Sequence, residues 1–240
     1  METLALLFLT SAVSIFIQST TGFGYGILFM AISPYFLPYA VAQVLNMSTS
    51  PIGNFINVSR RYTKINRRQV LVPLAFSTVA CYISLEVAKH IDTASMRRAL
   101  GAVLFLLAIW FVFFSKKVKI RPTFLNGSIA GFISGIMTGL FAISGPPVVV
   151  YYLSALEDKE EYMATIQSYF MGNSLLTLLM RFLNGTFPAF SPLWYCACLA
   201  GMAVGVLFGI KFYKRLNGDI MKKYVYGFMA ISGLIILIKG

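Results

Sequence analysis

Long apolar runs punctuated by short polar stretches organise this chain. No charged residue lies between Glu2 and Arg60, and none between Arg121 and Glu157. A helix crossing a hydrocarbon core of about 30 Å needs about 20 apolar residues. Four segments meet or approach that length simply: Val70 to Ala88, Ala99 to Phe114, Leu193 to Ile210 and Tyr224 to Ile238. Two more, Ala40 to Ser59 and Tyr162 to Leu183, are apolar but carry amides. The last two, Leu4 to Ser33 and Phe124 to Leu156, are too long for one span and too short for two: each would run about 45 Å or more as one helix at about 1.5 Å per residue.

Each of these two segments contains a glycine-rich break, Thr20-Thr21-Gly22-Phe23-Gly24-Tyr25-Gly26 in the first and Thr138-Gly139-Leu140-Phe141-Ala142-Ile143-Ser144-Gly145-Pro146-Pro147 in the second. A helix broken at membrane depth frees N–H and C=O groups that lipid cannot satisfy, so the broken backbone must be packed in protein or line a wet cavity. Paired breaks in corresponding positions of two halves point to a transporter's binding site.

The halves read as one unit used twice. Phe16-Ile17 before Thr21-Gly22 matches Phe132-Ile133 before Thr138-Gly139, Gly53-Asn54 matches Gly172-Asn173, and Asp92 before Met96-Arg97-Arg98 resembles Asp219 before Met221-Lys222-Lys223. The boundary falls near Lys116 to Arg121, giving a first repeat over residues 1–118 and a second over 119–240 of one membrane domain. Positive charge, which concentrates on the cytoplasmic side, arbitrates the topology. If all eight segments cross, the 20 Lys and Arg divide 11 to 9 between the two sides; if both broken segments leave on the side they entered, the division is 15 to 5. The expected fold is therefore an all-α polytopic membrane protein of two inverted repeats. Each repeat is a broken, re-entrant helix pair followed by three transmembrane helices, and both termini lie outside the cytoplasm.

Composition agrees with a plasma-membrane protein: at 58% hydrophobic and 12% charged, a soluble fold could not clothe its surface. The net charge of +12 sits in short loops beside spans, which topology explains without nucleic acid. The amino terminus lacks the basic region of a cleaved signal and reads as mature protein. Cys81, Cys196 and Cys198 are expected to be small buried hydrophobes, with no metal spacing among them. No enzyme motif, metal set or cofactor fingerprint is present. The implied partners are the lipid bilayer and a small anion, and a homodimer is compatible with the chain.

The candidate site follows from the breaks. Gly22, Gly24 and Gly26 permit sharp turns and uncover backbone N–H groups, and a half-helix starting there offers its positive end to an anion. The second break supplies the matching Gly139 and Gly145. Thr20, Thr21, Thr138 and Ser144 add hydroxyls, and Pro146 with Pro147 suits the first turn of a restarting helix. Close helix packing by small residues is the competing explanation for the glycines. Among the amides, Asn54, Asn173 and Gln167 are the stronger candidates. For Gln18, Asn46 and Asn57 bridging between helices weighs equally, and Gln43 is weaker. Arg181, after the apolar stretch Met171 to Met180, either attracts an anion or snorkels to the interface, the second being the expectation. Glu86 is expected to pair at the interface with Lys89 or His90. So few buried acids leave ion coupling open and make passive export compatible. The acids from Glu157 to Glu161 should begin a helix.

These motifs resemble the TauE/SafE family of membrane permeases, the sulfite exporters. The likeness is carried by Gly22-Phe23-Gly24-Tyr25-Gly26, then by Asn126-Gly127-Ser128-Ile129-Ala130-Gly131-Phe132-Ile133-Ser134-Gly135, Gly145-Pro146-Pro147 and Tyr151-Tyr152-Leu153. It extends over nearly the whole chain, although Ala142 and Ser144 stand where glycine is common. The resemblance implies export of sulfur-containing anions, sulfite or sulfonates, from a midplane site by relative motion of the halves. An anion channel, or an assembly factor without flux, are the alternatives.

Overall fold

A computed structural model describes residues 1–113, 120–212 and 218–239, with side chains in the last helix from 226 to 238. The expected repeat boundary at 118/119, the basic residues Lys116, Lys117 and Lys119, Lys214 and Arg215, and the side chains of Asp219, Met221, Lys222 and Lys223 lie outside the described residues. The helices are α1 (Glu2–Thr21), α2 (Tyr25–Ile32), α3 (Tyr39–Ser59), α4 (Arg67–Ala88), α5 (Thr93–Phe113), α6 (Phe124–Phe141), α7 (Pro146–Ala155), α8 (Lys159–Leu183), α9 (Pro192–Phe212) and α10 (Gly218–Lys239).

Local chemistry sets the ends. Thr123 caps α6 by accepting from the Asn126 amide, Asn66 caps α4 through the Gln69 amide, and Asp158 caps α8 through the Glu160 amide. Glu160 and Glu161 occupy the first turn of α8, as expected of acids near a positive helix end. Among the described residues, α1, α4, α5, α6 and α9 are long and apolar enough to cross a membrane. α1 shows how such a protein inverts the soluble pattern: Leu6, Leu9 and Val13 are exposed toward lipid, whereas Thr10, Ser11, Ser14 and Gln18 are buried. The chain is an integral multi-pass membrane protein.

Close contacts fix the helix directions. α1 and α3 run the same way, since Ile15 lies against Gly53 and Asn57 Nδ2 donates to Ser19 Oγ at 3.2 Å. α3 and α8 run oppositely, joined by Arg61 with Glu160 at one end and Arg181 with Gln43 at the other. α8 runs with α4, through Ser77 to Asn173 at 2.9 Å and Cys81 to Thr177 at 3.4 Å. α6 runs with α4 because Gly131, Gly135 and Gly139 abut Pro73, Ser77 and Ser84. A methyl group at Gly131 or Gly135 would collide with the opposing carbonyls, so this stripe is a small-residue helix contact. Gly201, Gly205 and Gly209 of α9 meet Phe8, Ala12 and Ser19 of α1 in the same manner.

Two consequences follow. Because α1 and α3 are parallel, the segment between them, including α2, must turn back; α7 returns likewise between α6 and α8. The two broken elements therefore enter and leave at one end each. Arg61 with Glu160, and Asn66 with Glu161 at 2.9 Å, put the loops before α4 and before α8 on one face. The 15 to 5 division expects those two loops on one face, and eight complete crossings would separate them.

Candidate functional site

The first break begins where Gly22, at φ 93°, ends α1 and its amide donates to Gln18 O at 2.8 Å. Gly24, at φ 119°, then starts α2. A Cβ at Gly22 would lie 2.7 Å from the Tyr162 ring, so both space and backbone demand glycine there. Three amides brace this turn from inside. Gln18 Nε2 donates to Asn54 Oδ1 and to Gln167 Oε1 at 3.2 Å, while Gln18 Oε1 accepts the Tyr25 amide at 2.9 Å. Gln167 Nε2 reaches Gly22 O at 3.2 Å, and Asn54 Nδ2 donates to Ser50 Oγ at 3.1 Å. Behind them Phe23 stacks on Phe111, centroids 5.7 Å apart, and Phe111 on Tyr226 at 4.9 Å.

The second break is held from outside itself. Ala142 adopts the left-handed conformation at φ 56°, the sole non-glycine residue to do so among the described residues. Asn46 Nδ2 donates to its carbonyl at 2.8 Å. One turn back on α3, Gln43 Nε2 donates to Leu140 O at 2.7 Å, and Tyr39 OH reaches the same oxygen at 3.2 Å. Arg181 Nη2 donates to Gly139 O at 3.2 Å and Gln43 Oε1 at 3.1 Å. Arg181 is 5% exposed and its Nε lacks a partner, which corrects the expectation that it snorkels to the interface. The snorkelling argument fails because its guanidinium caps the carbonyl end of α6. Among the described residues no carboxylate pairs with it.

The two breaks meet at a cavity halfway along α3. It is lined by Gln18, Phe23, Gly24, Gly26, Ile27, Asn46, Met47, Ser50, Ile143, Ser144, Gly145 and Phe170. Gly26 stands where a Cβ would be 3.3 Å from Ala142 O, so the tips nearly touch. About 20 Å3 is open to the centre of a water-sized sphere, room for a single water. No charged side chain lines it. The amides of Gly26 and Ile27, in the first turn of α2, have no carbonyl partner within their helix. At α7 the corresponding first positions are Pro146 and Pro147, which have no N–H.

Of the expected site residues, Gly24, Gly26, Ser144 and Gly145 line the cavity. Asn54 and Gln167 stand behind it, reaching it through Gln18. Gly22, Gly139 and Pro146 shape the turns without lining it. Thr20 and Thr138 direct their hydroxyls to helix carbonyls at Ile17 and Ser134, and Thr21 reaches Ile17 O and Phe23 O. Asn173 is engaged by Thr138 and Ser77. The donors at the cavity are thus backbone and serine rather than these threonines. Ser50, Met47, Phe23, Ile27, Ile143 and Phe170 were not anticipated; Ser50 had a signal, four residues before Asn54 on the same helix face. Elsewhere Glu86 pairs with Lys89 at 2.8 Å and accepts from Asn184 at 2.8 Å. Cys81 and Cys198 are buried as expected, but Cys196 is exposed on α9, because its face is turned outward.

Residues 7–236 match the protein family described as Sulfite exporter TauE/SafE. The chain belongs to the TauE/SafE family. Neither a curated protein nor a solved structure matches it. The TauE/SafE family is one of sulfite exporter-type membrane transporters, and the match runs through both breaks and into each of the ten helices among the described residues. Within it, the glycines of Asn126 to Gly135 pack α6 on α4, while Gly24, Gly26 and Gly145 wall the cavity.

Proposed function

We propose that this TauE/SafE protein is a secondary transporter of small sulfur-containing anions, sulfite or short sulfonates, in the plasma membrane. The observation that carries this reading is the cavity itself: two broken helices converge halfway along α3 on a space without charged side chains. Helix N-terminal amides and hydroxyls suit an oxyanion there without any cationic residue. The equivalent helices α1 and α6, and α3 and α8, run in opposite directions, which supports two inverted repeats. Alternating access would be motion of one repeat against the other about the cavity. A space for one water is closed to an anion of four or more heavy atoms, so the described conformation is an occluded one. That closure favours a carrier over an open channel.

Saturable sulfite counterflow in proteoliposomes tests the assignment, and flux that rises without saturation would point to a channel. Gly145→Leu is the sharper variant for this assay. Gly145 has extended backbone and no neighbour closer than 3.6 Å to its would-be Cβ, so a first side-chain carbon is accommodated and the rest of a leucine blocks the space between the breaks. The expected result is an inserted, folded protein without flux; undiminished flux would defeat the placement of the site.

A further inference from the structure

Asn46 carries an unpaired acceptor at the wall of a cavity otherwise suited to donating. The residue is fully buried and lines the space between the breaks. Its Nδ2 is committed to Ala142 O at 2.8 Å, which turns Oδ1 away from that carbonyl and leaves it without a hydrogen-bond partner. A buried amide oxygen left unpaired costs about 1–3 kcal/mol, and such an atom asks for a donor from whatever enters. Around it the wall offers the opposite polarity. The first-turn amides of Gly26 and Ile27 are free of intrahelical bonds. Ser50 accepts from Asn54, which leaves its own O–H to donate.

Consider two forms of a sulfur oxyanion in this space. A fully deprotonated dianion has only acceptor oxygens. One of them would face Asn46 Oδ1, lone pair against lone pair, and the second negative charge would meet no cation in the wall. A monoanion that keeps one hydrogen places its charged oxygens on the amides and hydroxyls and gives its hydrogen to Oδ1. We propose that Asn46 Oδ1 is a specificity-determining acceptor that selects hydrogen-bearing monoanions, so that bisulfite rather than sulfite dianion is the form carried. This rests on the transporter assignment above.

The groups around Asn46 do not themselves supply a proton switch near neutrality. Tyr39 and Gln43 flank it on α3, Tyr25 lies on α2, and Arg181 approaches from α8 through Gln43. No carboxylate or histidine lines the cavity. A pH dependence of flux would therefore reside in the substrate.

The test uses the full-length protein in liposomes with equal pH on both sides, from pH 6 to pH 8. Sulfite at fixed total concentration is compared with methanesulfonate, a monoanion that has no transferable hydrogen and does not titrate in this range. The expected result is sulfite flux that falls in step with the bisulfite fraction across this range, steepening toward about tenfold per unit as bisulfite becomes the minor form, with methanesulfonate flux slow and level. In Asn46→Ala the preference for bisulfite over methanesulfonate should shrink about tenfold, the loss of one hydrogen bond. Should that variant fail to fold, the wild-type pH profile decides alone. Sulfite flux that is level or rises with pH overturns the proposal while leaving the transporter assignment intact. So does a fall that methanesulfonate shares, because the pH effect would then belong to the protein. A folded wild type that moves neither anion overturns the assignment and the proposal with it.

Discussion

The first break is knit by neutral amides, and the second is held by a cation. At the first, Gln18, Asn54 and Gln167 satisfy one another and the turn's own backbone, with an aromatic stack from α5 and α10 behind. At the second, Tyr39, Gln43 and Asn46 of α3 and Arg181 of α8 cap the freed carbonyls from Gly139 to Ala142. The halves thus solve the same problem, unwound backbone inside a membrane, with different chemistry. A neutral network that is fully paired stiffens a site. A buried charge is a poor stabiliser, because its desolvation cost can exceed what its contacts return. The contrast teaches that Gln18 is there for the fold, whereas the charge on Arg181 needs a reason beyond it.

Removing Gln18 should produce the largest stability loss. Gln18→Leu strands the Tyr25 amide, Asn54 Oδ1 and Gln167 Oε1 at once, each a buried group worth about 1–3 kcal/mol when unpaired. Thermal unfolding in detergent should shift down sharply, and a shift no larger than that of a lipid-facing control such as Leu9→Ala would break the comparison. Gly22→Ala comes next. The left-handed backbone alone costs about 1–3 kcal/mol for a residue other than glycine, and the new methyl also meets the Tyr162 ring.

Arg181→Met inverts the pattern. It uncovers Gly139 O and Gln43 Oε1 but also abolishes a buried charge without a carboxylate partner, and the desolvation cost so removed offsets the two lost hydrogen bonds. Its melting point should change little, whereas anion uptake should weaken through a raised KM, because the guanidinium supports the wall beside the cavity. Arg181→Lys should restore part of the affinity. A melting point that collapses as far as that of Gln18→Leu, with KM unmoved in whatever protein survives, would make Arg181 a structural clamp alone.

Much of this was legible in the sequence. The six long segments outside the broken ones appear as α3, α4, α5, α8, α9 and α10, because a run of about 20 apolar residues is a strong membrane signal. The breaks were visible because Gly22 and Gly24 occupy backbone that other residues avoid. The cavity wall was less legible. Thr20, Thr21 and Thr138 offer the right group, yet a hydroxyl in a helix readily bonds to the carbonyl a turn behind it, and sequence does not say which way it turns. Sequence leaves Gln18 even between helix bridge and site because its partners lie 36 and 149 residues away. Arg181 misled for the same reason: a helix-end arginine usually finds water, and only the fold brings the end of α6 to meet it.

The smallest effect probes the one non-glycine residue that holds left-handed backbone among the described residues. Ala142 holds φ 56° at the end of α6, a conformation that costs an L-residue about 1–2 kcal/mol. Glycine would remove that strain but would give the unfolded chain more freedom, which works against it by about 0.4–1 kcal/mol. The two terms nearly cancel, and the carbonyl that Asn46 holds is retained in either case. With the loss of a buried methyl counted as well, Ala142→Gly should change stability by less than about 1 kcal/mol. Its Cβ is fully buried, so the substitution also leaves a methyl-sized space beside the cavity. If the second break moves during transport, loosening this hinge should alter the maximal rate more than the melting point. A rate and a melting point both unchanged would show that the left-handed turn is rigid through the cycle, and that the motion belongs to the first break.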